Sequence, residues 1–266
     1  MNTLAKVLIL MMAVSFVFLS CSNLIDPDDP YDGNRYTAES SFSFTIGAAD
    51  KSKIDLSSIN GDVKIVGSDN TNDVIVAGKK VVKSDSQMDA ETYLKNLKVS
   101  LAESGNTLYV SSEQPTENHG RSVAINYAIQ VPKGWATVVE LTNGSCLSDS
   151  LEGDIVTKLT NGNIVLGDVY ANAYLRVTNG QISGNVNLPS DGVLNAQTTN
   201  GVISFSVPKT TSAQLTAKVT NGTVNVSGLS LDNMWGNQRE IHGTIGLGNG
   251  RIELQTTNGN INVVGY

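Results

Sequence analysis

Histidine and cysteine are nearly absent from this chain. Its 266 residues include two of each: His119 and His242, Cys21 and Cys146. Two cysteines cannot frame a disulfide scaffold. So few imidazoles and thiols also exclude most zinc sites and the commoner nucleophile–base pairs, and no metal or cofactor is expected. Charge is sparse as well. Only 16% of residues are charged, the net charge is −7, and Lys and Arg cluster nowhere. A nucleic-acid partner, which needs such clusters to meet its phosphates, is therefore excluded. With 6 prolines and 25 glycines in a chain that is 40% hydrophobic, the composition is that of a globular or repeat protein, neither disordered nor collagenous.

Long apolar runs are missing too, with one exception. Val7–Leu19 in MNTLAKVLILMMAVSFVFLSC follows Lys6 and precedes Ser20 and Cys21, the layout of an export signal. The run falls short of the roughly 18–20 residues that cross a ~30 Å hydrocarbon core. A cysteine directly after such a run resembles the bacterial lipoprotein signal, with Phe18 where that signal usually carries Leu. The resemblance implies that residues 1–20 are removed and that Cys21 is acylated, so the chain would reach the membrane through an N-terminal lipid. An unmodified cysteine beside an ordinary signal-peptidase site is the alternative. Residues 21–40 read as an acidic tether, because Asp26, Asp28, Asp29 and Asp32 lie around Pro27 and Pro30, which bars a helix interior or a central strand. A calcium loop of EF-hand type would need a closing bidentate Glu that is missing here. The stretch looks like the acidic export tags of some surface-displayed lipoproteins, and Ser22 fits outer-membrane sorting, which together imply an envelope location.

A repeat governs residues 41–266. Asn-Gly occurs at Asn143-Gly144, Asn161-Gly162, Asn179-Gly180, Asn200-Gly201, Asn221-Gly222 and Asn258-Gly259, each preceded by Thr, and also at 60–61 and 249–250. From 143 the spacings are 18, 18, 21 and 21, then 37. Three residues after the Asn stand Cys146, Ile164, Ile182, Ile203, Val224 and Ile261. Two before it stand Leu141, Leu159, Val177, Thr198, Val219 and Thr256, and the position between these and the next apolar column is polar: Glu140, Lys158, Arg176, Gln197, Lys218, Gln255. The period of two describes strands with one buried face.

Asn-Gly is also a hairpin signal, so an antiparallel meander is the competing arrangement. Recurrence of one residue type in one column favours parallel in-register stacking instead. The expected fold is all-β, a single-stranded β-helix or solenoid of about 18–21 residues per coil, with Gly supplying positive φ at the corners and stacked Asn amides bonded along the axis. Weaker corners are expected at Glu152-Gly153, Asp191-Gly192 and Asn249-Gly250. Ile54 to Ile65 repeats the template, and further strands are expected at 73–83, 98–103, 107–112, 123–131 and 136–141. Residues 86–99 read as one short inserted helix with Met88, Tyr93, Leu94 and Leu97 on a face, placed to cover the open end of the stack. The loop 112–122 reads as a solvated excursion.

From about Phe42 to Tyr266 the chain resembles the putative-adhesin domain family of bacterial envelope proteins. The motifs that carry the resemblance are INGDVKIVG, the short helix leading into LKVSLAESGNTLYV, the strand NYAIQVP, and the TNG coils that end in TTNGNINVVG. It implies a β-helical domain with a surface or envelope role and no catalytic residues to carry over.

The residues themselves agree with a non-catalytic reading. Polysaccharide cleavage requires converging carboxylates, whereas Asp154 and Asp168 have Asn172 and Ser150 as their counterparts one coil away. Lys158 and Arg176 do share a column and are the first candidates for contact with an anionic glycan. Cys146 fills an apolar column and reads as a buried hydrophobe. His119 and His242 have no partner fixed by spacing. Trp235, in the irregular segment 228–242, is either a ligand contact or a plug in a degenerate coil, and the plug is preferred. The functional expectation is a lipid-anchored adhesion or binding scaffold, with a glycan or an envelope protein as partner. A carbohydrate-active enzyme and a periplasmic assembly or stress accessory are the alternatives.

Overall fold

A computed structural model describes residues 34–69, 71–115 and 118–266. Cys21, the export signal and most of the expected tether lie outside the described residues.

The chain runs through β1 (Tyr36–Gly47) into a first strand pair, β2 (Lys53–Asn60) and β3 (Val63–Ser68). An excursion follows: β4 (Asp73–Ser84), helix α1 (Gln87–Leu94), the hairpin β5 (Lys98–Ser104) and β6 (Thr107–Glu113), and β7 (Ser122–Pro132). Five further pairs come next. They are β8 (Ala136–Asn143) with β9 (Cys146–Asp149), β10 (Ile155–Asn161) with β11 (Ile164–Tyr170), β12 (Ala173–Asn179) with β13 (Ile182–Asn187), β14 (Val193–Asn200) with β15 (Ile203–Val207), and β16 (Ala213–Asn221) with β17 (Val224–Ser227). The hairpin β18 (Asp232–Asn237) and β19 (Glu240–Ile245) precedes a last pair, β20 (Gly250–Asn258) and β21 (Ile261–Gly265).

The fold is all-β with two large mixed sheets. The first strands of the pairs lie in an eleven-stranded sheet and the second strands in a ten-stranded one. Within each sheet the repeated strands are parallel and in register: Leu159 pairs with Leu141 and Val177, and Ile164 with Cys146 and Ile182. The meander is thereby set aside for this part of the chain. The inward columns of both sheets, including Ile155, Leu194, Ile182 and Ile203, are buried in one hydrophobic core.

The corners explain the register. Asn side chains form an unbroken ladder in which each amide donates to the next carbonyl oxygen: Asn143 to Asn60 at 2.7 Å, Asn161 to Asn143 at 2.8 Å, Asn179 to Asn161 at 2.9 Å and Asn200 to Asn179 at 2.8 Å. Asn258 continues it to Asn200 at 2.7 Å, and Asn221 to Asn258 at 2.8 Å. Beside the ladder run the glycines. Gly162 has φ +133, and a Cβ there would lie 1.7 Å from the Gly144 carbonyl oxygen; Gly180 repeats that clash against Gly162. Each corner therefore needs Gly both for its dihedral and for the backbone stacked beneath it. Gly250 makes the weaker corner on Gly192, where Arg251 N–H donates to the Gly192 carbonyl at 2.8 Å.

Spatial order departs from chain order at one place. β20 lies between β14 and β16, and β21 between β15 and β17. The hairpin β18–β19 occupies the far side of β16, with Ile245 beside Ala213, while Gly250 lies beside Ala213 on the near side. Only residues 246–249 separate these positions. Four extended residues span about 13 Å, enough to cross one strand and its two ~4.8 Å spacings. Gly246 at φ +58 and Gly248 at φ +74 turn the crossing.

Four expectations need correction. The tether does not extend to residue 40, since β1 starts at Tyr36 and pairs antiparallel with β4 along its whole length. The helix stops at Leu94 and Met88 is exposed, while Leu97 is buried beyond the helix end. Ser86 caps it by accepting from Asp89 N–H at 3.2 Å. Nor does the helix close the stack: it packs on β1 and β4, and the stack is extended by a parallel strand in each sheet, β6 and β7, followed by antiparallel ones, β5 beyond β6 and β4 then β1 beyond β7. Finally, loop 112–122 is not simply solvated. Gln114 is buried, accepting from Asn60 N–H and donating to its carbonyl, and Arg121 holds Asp89 through two guanidinium nitrogens at 2.6 Å.

Candidate functional site

The sequence-selected cations stand on the outer face of the eleven-stranded sheet. Lys158 is in register with Glu140 on one side and Arg176 on the other, and its ammonium pairs with Glu140 at 2.9 Å. The row continues through Gln197, Gln255 and Lys218 to Glu240, and Lys218 pairs with Glu240 at 3.5 Å. Two of the three cations thus carry their own counter-ions. The stripe is a compensated surface network, of the kind that contributes little, with Arg176 alone lacking an acid partner on it.

Trp235 is 62% exposed, so it plugs no coil. Its indole stacks on the His242 ring, centroids 3.8 Å apart and 5° from parallel. Both imidazole nitrogens are engaged, Nδ1 with Thr216 Oγ1 at 3.2 Å and Nε2 with Glu240 at 3.1 Å. The structure supplies the partners that spacing did not fix for His242. The Thr216–His242–Glu240 chain has the residue types of a catalytic relay, but its imidazole is covered on one face by Trp235 and spent on both nitrogens. It fastens the β18–β19 hairpin to β16. The bond to His242 holds the Glu240 carboxyl below the usual carboxylate range. Cys146 lies in its apolar column, 1% exposed, and burial pushes its thiol up to about 12.

A cleft that column reading missed opens on the outer face of the ten-stranded sheet, with a volume of about 350 Å³. Its origin is a β-bulge. Leu166 pairs with Gly184 and Asp168 with Asn185, which leaves Gly167 unpaired. A Cβ at Gly167 would strike the Asp149 carboxylate at 2.2 Å. That carboxylate accepts from Asp168 N–H at 3.2 Å and holds the bulge. Bulges re-aim side chains and recur beside functional sites; here Asp168 and Tyr170 project outward on either side of buried Val169. Next to the bulge Ser150 adopts φ +54, a left-handed conformation uncommon for serine, and its N–H donates to the Asp168 carbonyl at 3.1 Å. The turn it makes brings Glu152 to the rim.

β13 supplies the floor through Asn185 and Asn187, the register partners of Asp168 and Tyr170. The far wall is Tyr266, whose N–H donates to the Val207 carbonyl at 3.1 Å. Lys133 completes the rim, paired with Asp69 at 2.8 Å, a bond that raises its ammonium above the ordinary value. The acids Glu152 and Asp168, which do not share a column, therefore meet at one cleft. The bulge was not legible as such, although the Gly-Asp step at 167–168 is its signal.

The asparagines show how open this cleft is. On the parallel strands, Asn side chains bond across to neighbouring strands, as in the ladder or from Asn195 to Glu253 at 2.9 Å. Among the described residues of those strands, Asn185 and Asn187 are the exceptions, and Asp168 and Glu152 likewise make no side-chain hydrogen bond within the protein.

Three solved structures of bacterial proteins named as adhesins are similar to this chain. A putative cell adhesion protein from Clostridium sporogenes is similar with 13% identity and a TM-score of 0.47, over 86% of this chain and 100% of that one. A putative adhesin from Bacteroides fragilis has 12% identity and a TM-score of 0.28, covering 85% and 97% of the two chains. One from Parabacteroides distasonis has 10% identity and a TM-score of 0.28, covering 84% and 97%. These names match the family that the INGDVKIVG and TNG motifs resemble. No family model matches the chain, and no curated protein does.

Proposed function

We propose that this chain is a non-catalytic binding scaffold of the bacterial cell envelope, anchored by a lipid on Cys21 and acting in surface adhesion. In this reading the strand pairs form a β-solenoid whose coils are stapled by the Asn ladder, with the last coil inserted in penultimate position. The observation that supports binding is the cleft, a solvent-open groove lined by Asp168 and Glu152 and by Asn185 and Asn187, two asparagines left unpaired among parallel strands whose other asparagines are bonded. No helix of the described residues is long and apolar enough to cross a membrane.

Protease shaving of intact cells, with Cys21→Ala alongside, tests it. The expected result is loss of the domain from wild-type cells and release of the variant from the membrane fraction. Protection of a membrane-bound wild type would replace adhesion by a periplasmic role. A second reading, a carbohydrate-cleaving enzyme, draws on the meeting of Glu152 and Asp168 in the cleft. It requires product release from an oligosaccharide that is lost in Glu152→Gln and Asp168→Asn; binding without turnover is the outcome expected here.

A further inference from the structure

The geometry points to the cleft as a binding site for neutral saccharides, with Tyr170 and Tyr266 as its walls and Asp168, Asn185 and Asn187 as its hydrogen-bonding groups. This rests on the binding-scaffold reading and assigns its ligand class.

Shape comes first. Tyr170 is on β11 and Tyr266 follows β21, with β13 and β15 between them. Three strand spacings of ~4.8 Å place the tyrosines about 14 Å apart across the sheet. They are 48% and 60% exposed. The strands between them carry short side chains: Asn187, the register partner of Tyr170, and in the neighbouring outward row Asn185 with its partner Ser206. A shallow groove with aromatic margins and a short polar floor accommodates rings lying flat, with apolar C–H faces against the tyrosines. Its volume, about 350 Å³, falls in the lower part of the range of small-molecule sites, roughly 300–1,000 Å³.

Chemistry narrows the class. Asp168 offers only acceptors, while each Asn amide offers both a donor pair and an acceptor. A ligand that satisfies all three must itself donate and accept at closely spaced positions, as vicinal hydroxyls do. Charge excludes acidic sugars. Glu152 and Asp168 set two carboxyl groups in the cleft, and the one cation of the rim, Lys133, is matched by Asp69.

The inserted strand pair builds the far wall. Tyr266 reaches this cleft because β21 pairs with β15; in sequential order β17 would stand there, and its continuation, Gly228 and Leu229, carries no aromatic ring.

The test is saturation-transfer NMR on the full-length protein in a non-glycosidic detergent. The probes are cellobiose, lactose, mannobiose and diacetylchitobiose, with digalacturonate as the anionic comparison. The expected result is transfer to at least one neutral disaccharide, with affinity reduced tenfold or more in Tyr170→Ala and in Asn185→Ala. Asp168→Asn keeps the bulge backbone and is expected to weaken binding similarly. Tyr109→Ala, which removes an exposed tyrosine from the other sheet, should leave affinity unchanged. Absence of binding to every neutral disaccharide at millimolar concentration, binding indifferent to the cleft variants, or preference for digalacturonate would each overturn the assignment. Cell shaving reads location independently. A surface-exposed domain that binds none of these sugars overturns the ligand class alone, and a protected domain that binds them overturns the surface reading alone.

Discussion

Asn258 donates its side-chain amide to Asn200 at 2.7 Å across 58 residues of chain, although Asn221 intervenes in sequence. Asn221 is displaced by one rung and donates to Asn258 in turn. The ladder stays continuous with the final strand pair between two earlier ones. Ser204 and Asn262 are register partners on β15 and β21, while Asn225 stands one strand further out. Ser204→Cys with Asn262→Cys should therefore oxidise to an intramolecular disulfide. Ser204→Cys with Asn225→Cys, two ~4.8 Å spacings apart, lies beyond the ~7 Å Cα limit for bridging and should not. Mass spectrometry after oxidation reads both, and the reverse result would contradict the inserted order.

Corner glycines are expected to be far less tolerant than an ordinary turn glycine. Gly162→Ala forces a Cβ to 1.7 Å from a stacked carbonyl at φ +133, whereas Gly105 sits at φ +56 in open space. Urea unfolding should show a loss of about 3 kcal/mol or more for Gly162→Ala and about 1 kcal/mol for Gly105→Ala. Equal losses would mean that the stacked backbone contributes nothing.

The Asp89–Arg121 pair gives stability an acid limb. Hydrogen bonds from Arg121 hold the Asp89 carboxyl down to about 2, with Ser84 adding a further bond. The folded value lies below the unfolded one, about 3.9. The stabilisation is thus fully present above pH ~4 and fades as pH falls toward about 2. Asp89→Asn should melt below wild type at pH 6, with the gap closing by pH 2. A gap independent of pH would assign the effect to packing of the helix.

Cys146 should be inert toward a thiol reagent until the chain unfolds, because burial pushes its thiol up to about 12. Its column is otherwise Ile and Val, so Cys146→Val should alter stability by less than about 1.5 kcal/mol. Cys146→Ser should also be tolerated, within about 1.5 kcal/mol, since the hydroxyls of Ser148 and Thr157 face the thiol and offer the serine hydrogen-bond partners. Native-state labelling at the unfolded rate would contradict this placement.

Column reading recovered the strands and corners because each is dictated by residues close in sequence. Leu159 and Ile164 alternate with exposed neighbours around one corner, and Gly162 must take a φ that other residues avoid. Ile54 to Ile65 was legible as a repeat of the later template, but the direct stacking of Asn60 on Asn143, across 83 residues, was not, because the excursion between them carries strands of its own. Trp235 and Gln114 were misread, and the partners of His242 missed, for a similar reason. Thr216 and Ser58, which bond His242 and Gln114, come from other segments, and the stack of Trp235 on His242 exists only once the β18–β19 hairpin has formed.

By itself, then, the sequence determined the all-β class, the parallel registers and the Asn and Gly ladders, through side-chain alternation and the steric demands of the corner. Tertiary structure decided the order of the last coils, because every TNG strand pair is an acceptable neighbour for every other and the repeat carries no address. It also decided the cleft. Tyr266 meets Tyr170, Asp168 and Asn185 only after a bulge at Gly167 re-aims one strand and a four-residue crossing inserts another, and both are events of backbone geometry rather than of periodicity.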